Sequence, residues 1–69
     1  MTVAELLRDK YAEECEDGLY LTFHEDGNIY GGDFRDDFLA DTFGGRDIAS
    51  YTYIYGGIEE PDELAIDLK

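Results

Sequence analysis

His24 and Cys15 are the only histidine and the only cysteine in this 69-residue chain, so any imidazole or thiol chemistry would have to start from them. No partner stands at a spacing that would build a relay around His24, and its place at the end of a predicted strand suits an ordinary polar residue. Cys15 falls on an apolar helical stripe, where a small buried hydrophobe is expected. A zinc cage needs more thiolates and imidazoles than one subunit holds, and a lone cysteine permits no internal disulfide. We therefore expect no catalysis, no metal site and no cofactor.

Carboxylates are the abundant chemical group. Eighteen Asp and Glu face five Lys and Arg, a net charge of -13. General acid–base work needs two carboxyls with divergent pKa values in a partly desolvated cleft, and so short a chain has little depth for one. Asp26, Asn28, Asp33, Asp36 and Asp37 supply hard oxygen ligands, but the calcium-loop spacing fails because Tyr30 holds its fifth position and no Glu stands at its twelfth. The glycine pairs at 31–32, 44–45 and 56–57 lack the Lys and Ser/Thr of a phosphate loop, and the acids around them repel phosphate. The same charge excludes direct contact with nucleic acid or an anionic membrane. Any partner is expected to be basic.

A single α+β domain spanning residues 1–69 is the expected carrier. At this length about 60% of the unfolded surface is buried on folding, which implies a thin core, yet 43% hydrophobic residues is too apolar for compositional disorder. Thr2 and Glu5 form a capping box, and a helix from Val3 to Cys15 follows, its stripe Val3, Leu6, Leu7, Tyr11 and Cys15 closed by Gly18. Leu19–His24 and Ile29–Phe34 alternate around Glu25-Asp26-Gly27-Asn28 as a hairpin, with Gly31-Gly32 marking a bulge or a close backbone contact. Phe34–Phe43 suits a short helix or an acidic loop equally. Ile48–Tyr55 reads as a central strand with Tyr51, Tyr53 and Tyr55 on one face and Ile48, Ser50, Thr52 and Ile54 on the other, and Leu64, Ile66 and Leu68 form a last strand. Together these predict an N-terminal amphipathic helix packed on a small antiparallel sheet of three or four strands. No apolar run is long enough to span a membrane, and no secretion-signal pattern opens the chain, so a cytoplasmic setting is expected.

The charge itself is the strongest functional signal. A folded chain of this length is about 28 Å across, so its net charge amounts to about one per 2 Å, close to the one per ~1.7 Å of duplex DNA. Solubility needs a magnitude of only about 2 to 8. The acids expected to meet a partner are Glu5, Asp9, Glu13, Glu14, Glu16 and Asp17 on the helix, Asp33, Asp36 and Asp37, and Glu59, Glu60, Asp62 and Glu63. Tyr51, Tyr53 and Tyr55 either complete the core against the helix or anchor an interface rimmed by carboxylates.

In size, acidity, absence of catalytic groups and α+β pattern, the chain resembles the small phage-encoded anti-CRISPR and anti-restriction proteins that mimic DNA. The resemblance is one of character across the chain, with no shared motif. It implies a non-enzymatic inhibitor whose carboxylates stand in for phosphates at the DNA-binding surface of a CRISPR effector complex or similar basic protein, in the host bacterial cytosol. Two other classes use the same features: an immunity or antitoxin protein capping a basic nuclease, and a homo-oligomeric module, for instance a homodimer joined through the tyrosines or an open strand edge.

Overall fold

The computed structural model describes residues 1–69. Thr2 caps helix α1 (Val3–Lys10), accepting the Glu5 N–H at 3.2 Å while Glu5 Oε1 accepts the Thr2 N–H at 3.1 Å. The expected single helix to Cys15 is broken at Tyr11, whose φ of -124° and ψ of 23° leave the helical region. A short α2 (Ala12–Glu16) follows, and Gly18, with φ of +98°, takes the anticipated left-handed conformation after it. The break has a tertiary cause: it lays the Tyr11 ring on Tyr53, stacked at 5.4 Å, and edge-on to Tyr51 at 6.0 Å.

Strands β1 (Tyr20–Glu25) and β2 (Asn28–Asp33) form the hairpin, with Asp26 and Gly27 both at positive φ (49° and 82°), the turn geometry that Asp-Gly favours. Register runs unbroken from Tyr20 opposite Asp33 to Glu25 opposite Asn28. Gly31-Gly32 therefore makes no bulge; the pair allows close approach instead. A Cβ on Gly32 would lie 2.8 Å from Leu39 Cδ1, and one on Gly31 2.9 Å from the Tyr20 hydroxyl. Helix α3 (Asp37–Phe43) resolves the ambiguous segment: Asp36 Oδ1 accepts the N–H groups of Phe38 and Leu39 and starts the helix.

The four strands lie in the order β2-β1-β4-β3, with β3 spanning Ile48–Ile54 and β4 Glu63–Leu68. Two features correct the reading from sequence. The sheet is mixed, because β4 inserts beside β1 in parallel while pairing antiparallel with β3; the β2–α3–β3 segment supplies the long crossover that a parallel neighbour requires. And β4 is central while β3 is an edge, since the fully buried alternation is that of Leu64, Ile66 and Leu68. A register shift between Ile48 and Ser50 moves Ile48 onto the face of Tyr51 and Tyr53, so the strict two-face division of that strand does not hold.

All three helices cover one face of the sheet. Val3 and Leu6 of α1, Cys15 of α2, and Leu39 and Phe43 of α3 meet Leu19, Leu21, Phe23, Ile48, Leu64, Ile66 and Leu68 in a core of 12 residues that contains no polar or charged side chain. Phe23 and Phe43 stack at 4.4 Å at its centre. Leu64, wholly buried on the central strand, has no room to be replaced by water or by neighbours. Leu64→Ala is expected to lose about 3 kcal/mol, most of the stability of a domain this small, read as a collapsed urea midpoint.

Candidate functional site

The mixed topology gives the acids a common address. Asp33 ends β2, Tyr20 begins β1, Glu63 begins β4 and Ile54 ends β3, so these four stand in a row across one end of the sheet. Three segments meet there: α2 running into Gly18, the turn from Asp33 into α3, and the β3–β4 loop. Glu13, Glu14, Glu16 and Asp17 arrive on the first, Asp33, Asp36 and Asp37 on the second, and Glu59, Glu60, Asp62 and Glu63 on the third. Arg35 is the single cation on these three segments, and Asp33 holds it at 3.3 Å. The opposite end carries Glu25, Asp26, Asp47 and Asp67 together with Arg46 and Lys69, and Arg46 pairs with Glu25.

Glu5 and Asp9 stand apart from the other acids singled out in the sequence. Both are exposed on α1, where Glu5 is occupied by the Thr2 cap and Asp9 accepts from Arg8 at 2.9 Å. Those contacts, the Thr2 backbone N–H for Glu5 and the Arg8 guanidinium for Asp9, hold each carboxyl below its ordinary pKa. With the helix broken at Tyr11, they do not continue into a row with Glu13.

Within the acidic end lies a groove. One cavity of about 250 Å³ is lined by Glu14, Asp17, Gly18, Leu19, Tyr53, Glu60, Pro61 and Asp62. A second, of about 320 Å³, is lined by Tyr11, Glu14, Tyr53, Tyr55 and Asp62. They share Glu14, Tyr53 and Asp62, and so adjoin as one open groove between α2 and the end of β3. Its wall is aromatic: Tyr11 stacks on Tyr53, Tyr53 meets Tyr55 edge-on at 5.1 Å, and Tyr55 is 82% exposed. Of the three tyrosines, Tyr51 and Tyr53 pack against the core, as the core reading expects, whereas Tyr55 stands exposed. Lys10 reaches over the Tyr51 ring and donates to its hydroxyl at 2.8 Å, a contact that raises the lysine pKa.

Asp62 pins the groove together. Its Oδ2 accepts the Tyr53 hydroxyl at 2.6 Å and its Oδ1 accepts the Gly56 N–H at 2.7 Å. The tyrosine bond first, and the backbone bond second, hold the Asp62 carboxyl below the usual aspartate range, and the same bond pushes the Tyr53 phenol up. Glu14 is half-buried between the two cavities and has no hydrogen-bond or ionic partner. His24 sits half-buried on β1 opposite Ile29, and Cys15 is buried in the core, where desolvation raises its thiol pKa. Neither lines the groove.

Nothing in the local sequence of α2 or of the β3–β4 loop joins the two. Their meeting follows from β4 lying between β1 and β3, which brings the starts of β1 and β4 side by side. Tyr11 was legible only as part of an apolar stripe, and its role in the groove depends on the helix break.

A carboxyl titrating below its ordinary pKa stabilises the fold fully above that pKa and loses the contribution as pH falls through the lowered value. Removing the Tyr53 hydroxyl raises the folded Asp62 pKa towards normal. Tyr53→Phe is therefore expected to be less stable than wild type at neutral pH, with the difference closing in strong acid, as read from urea midpoints across pH. Comparison of the chain with protein-family models, with curated proteins and with solved structures gives no match.

Proposed function

We propose that this domain is a non-enzymatic inhibitor that presents carboxylates in place of DNA phosphates and occupies the nucleic-acid groove of a basic protein, such as a CRISPR effector complex in a bacterial cytosol. The observation that carries this reading is the collection of three acidic segments at one end of the sheet with Arg35 as their only cation, itself neutralised by Asp33. An array of one sign focuses its field, speeds encounter with an opposite surface and fixes orientation there. Carboxylates also suit arginines built to grip phosphates, since both anions accept paired N–H donors from a guanidinium.

An immunity-type cap on a basic nuclease is the second reading. It is favoured by Tyr53 and Tyr55 lying amid the acids, since an aromatic centre with a charged rim is the usual composition of a tight protein interface. Both readings place the acidic end on a cationic surface.

The test captures a partner on immobilised protein from a bacterial lysate, identifies it, and titrates short duplex DNA against the complex. Duplex DNA is expected to displace the domain competitively. Replacing Asp17, Glu59 and Glu60 with Asn, Gln and Gln is expected to weaken binding about tenfold, whereas Asp26→Asn with Asp47→Asn, at the other end, changes it less than about twofold. Equal losses from the two sets, or no displacement by DNA, would contradict the reading.

A further inference from the structure

The β3 edge differs in kind from the rest of the surface. No Asp, Glu, Lys or Arg occurs between Ile48 and Ile58, in a chain of which 33% is charged. Natural sheet edges are usually blunted by charge, proline or a covering segment. Here the N-terminal residues cover only the start of the strand: Met1 C=O accepts the Ile48 N–H at 3.0 Å, and Thr2 bridges Asp47. Beyond the register shift, Ser50–Ile54 pairs with β4 alone, leaving its outer backbone groups open. From Tyr51 to Tyr55 the stretch Tyr-Thr-Tyr-Ile-Tyr has high strand propensity throughout. The other edge, β2, offers a poorer template, with Gly31, Gly32 and Asp33 in its second half.

The groove opens beside this edge. Tyr53 lies near the end of this strand and Tyr55 just beyond it, both on the side that faces Tyr11, Glu14 and Asp62. A strand added to β3 would carry alternate side chains over those rings and into the groove.

We propose that the open edge of β3 and the Tyr11–Glu14–Tyr53–Tyr55–Asp62 groove form one docking site for an extended, arginine-bearing segment of a partner protein, which pairs with Ser50–Tyr55 and seats a guanidinium against Tyr55 and Glu14. Charge complementarity selects this occupant. Glu14 is a half-buried carboxylate with no partner of its own, and Tyr55 presents an exposed ring, the two contacts that a guanidinium satisfies together. A second copy of the chain would instead bring another charge of -13 to the same place. The neutral edge lets backbone pairing proceed without repelling a partner, and the acidic surroundings select a cationic one. The inference rests on the inhibitor reading and specifies how the partner is held.

The probe is a short synthetic peptide alternating valine or threonine with arginine, titrated into the intact domain and followed by amide-resolved NMR. Shifts are expected to concentrate at Ser50–Tyr55, Tyr11 and Glu14. A version N-methylated on alternate backbone amides, with its charge unchanged, is expected to bind about tenfold more weakly. Tyr55→Ala and Glu14→Gln are each expected to weaken the parent peptide about fivefold; Tyr55 lies outside the core and gives up only its edge contact with Tyr53, and Glu14 makes no hydrogen bond, so unchanged urea midpoints are expected to accompany the loss. Equal binding of the methylated peptide, with shifts spread over the whole acidic end, would overturn strand addition while leaving the charge-mimic reading intact. Absence of peptide binding would overturn it as well, and so would protection of the Ser50–Tyr55 amides by a second copy in a dimer. Failure of the inhibitor reading itself would appear separately, as loss of competition by duplex DNA.

Discussion

A charge of -13 on a body 32 × 24 × 20 Å leaves the carboxylates no low-dielectric site to occupy, and a core of 12 residues has little free energy to spend on burying them. The fold obeys that constraint throughout. Its core is entirely apolar, and the acids that are not free in water are tied to donors: Glu5 and Asp36 to helix N-termini, Asp9, Asp33 and Glu25 to arginines, Glu63 and Asp67 to the hydroxyls of Thr22 and Ser50, and Asp62 to Tyr53 and Gly56. These bonds position turns, caps and neighbouring strands while keeping the negative charge in place. Glu14 is the instructive exception, half-buried with nothing bound to it.

The sheet converts this surface chemistry into asymmetry. Because β4 lies parallel to β1 and antiparallel to β3, the loops rich in acid converge at one end, while Arg46, Lys69 and the N-terminal residues gather at the other. Self-repulsion would be lower with the charges dispersed. Their concentration, around a tyrosine-walled groove and next to a strand edge that carries no charge at all, is the arrangement expected of a surface that meets cations. In the complex proposed above, the acidic end would supply attraction and orientation, and the groove and edge short-range fit, a division of labour common to fast, specific protein complexes.

Local signals in the chain were legible where local interactions decide the outcome. The Thr2–Glu5 box, the left-handed Gly18, the Asp26-Gly27 turn and the alternation of Leu64, Ile66 and Leu68 all follow from backbone sterics and burial, and each appears in the structure. Position in the sheet was not legible, because β3 and β4 both alternate and only the crossover through α3 decides which becomes the edge. The Tyr11 break likewise answers to aromatic stacking with a residue far along the chain, which overrides good helical spacing. For the site, the acids of α2, of the Asp33–Asp37 turn and of the β3–β4 loop were identifiable as charge clusters, but their convergence and the groove between them are products of topology. Glu5 and Asp9 were drawn into the same set by helical spacing alone, and their local partners and the break at Tyr11 separate them from it.

The central claim is that the acidic end takes the place of a nucleic acid on a cationic protein. Its most direct measurement is the equilibrium affinity for the captured partner as a function of salt, set beside the affinity of short duplex DNA for the same protein. A polyanion surrogate displaces the same counterions from the same basic groove, so both affinities are predicted to fall steeply and in parallel on a logarithmic scale. An affinity for the domain that stays level while that for DNA collapses would contradict the claim.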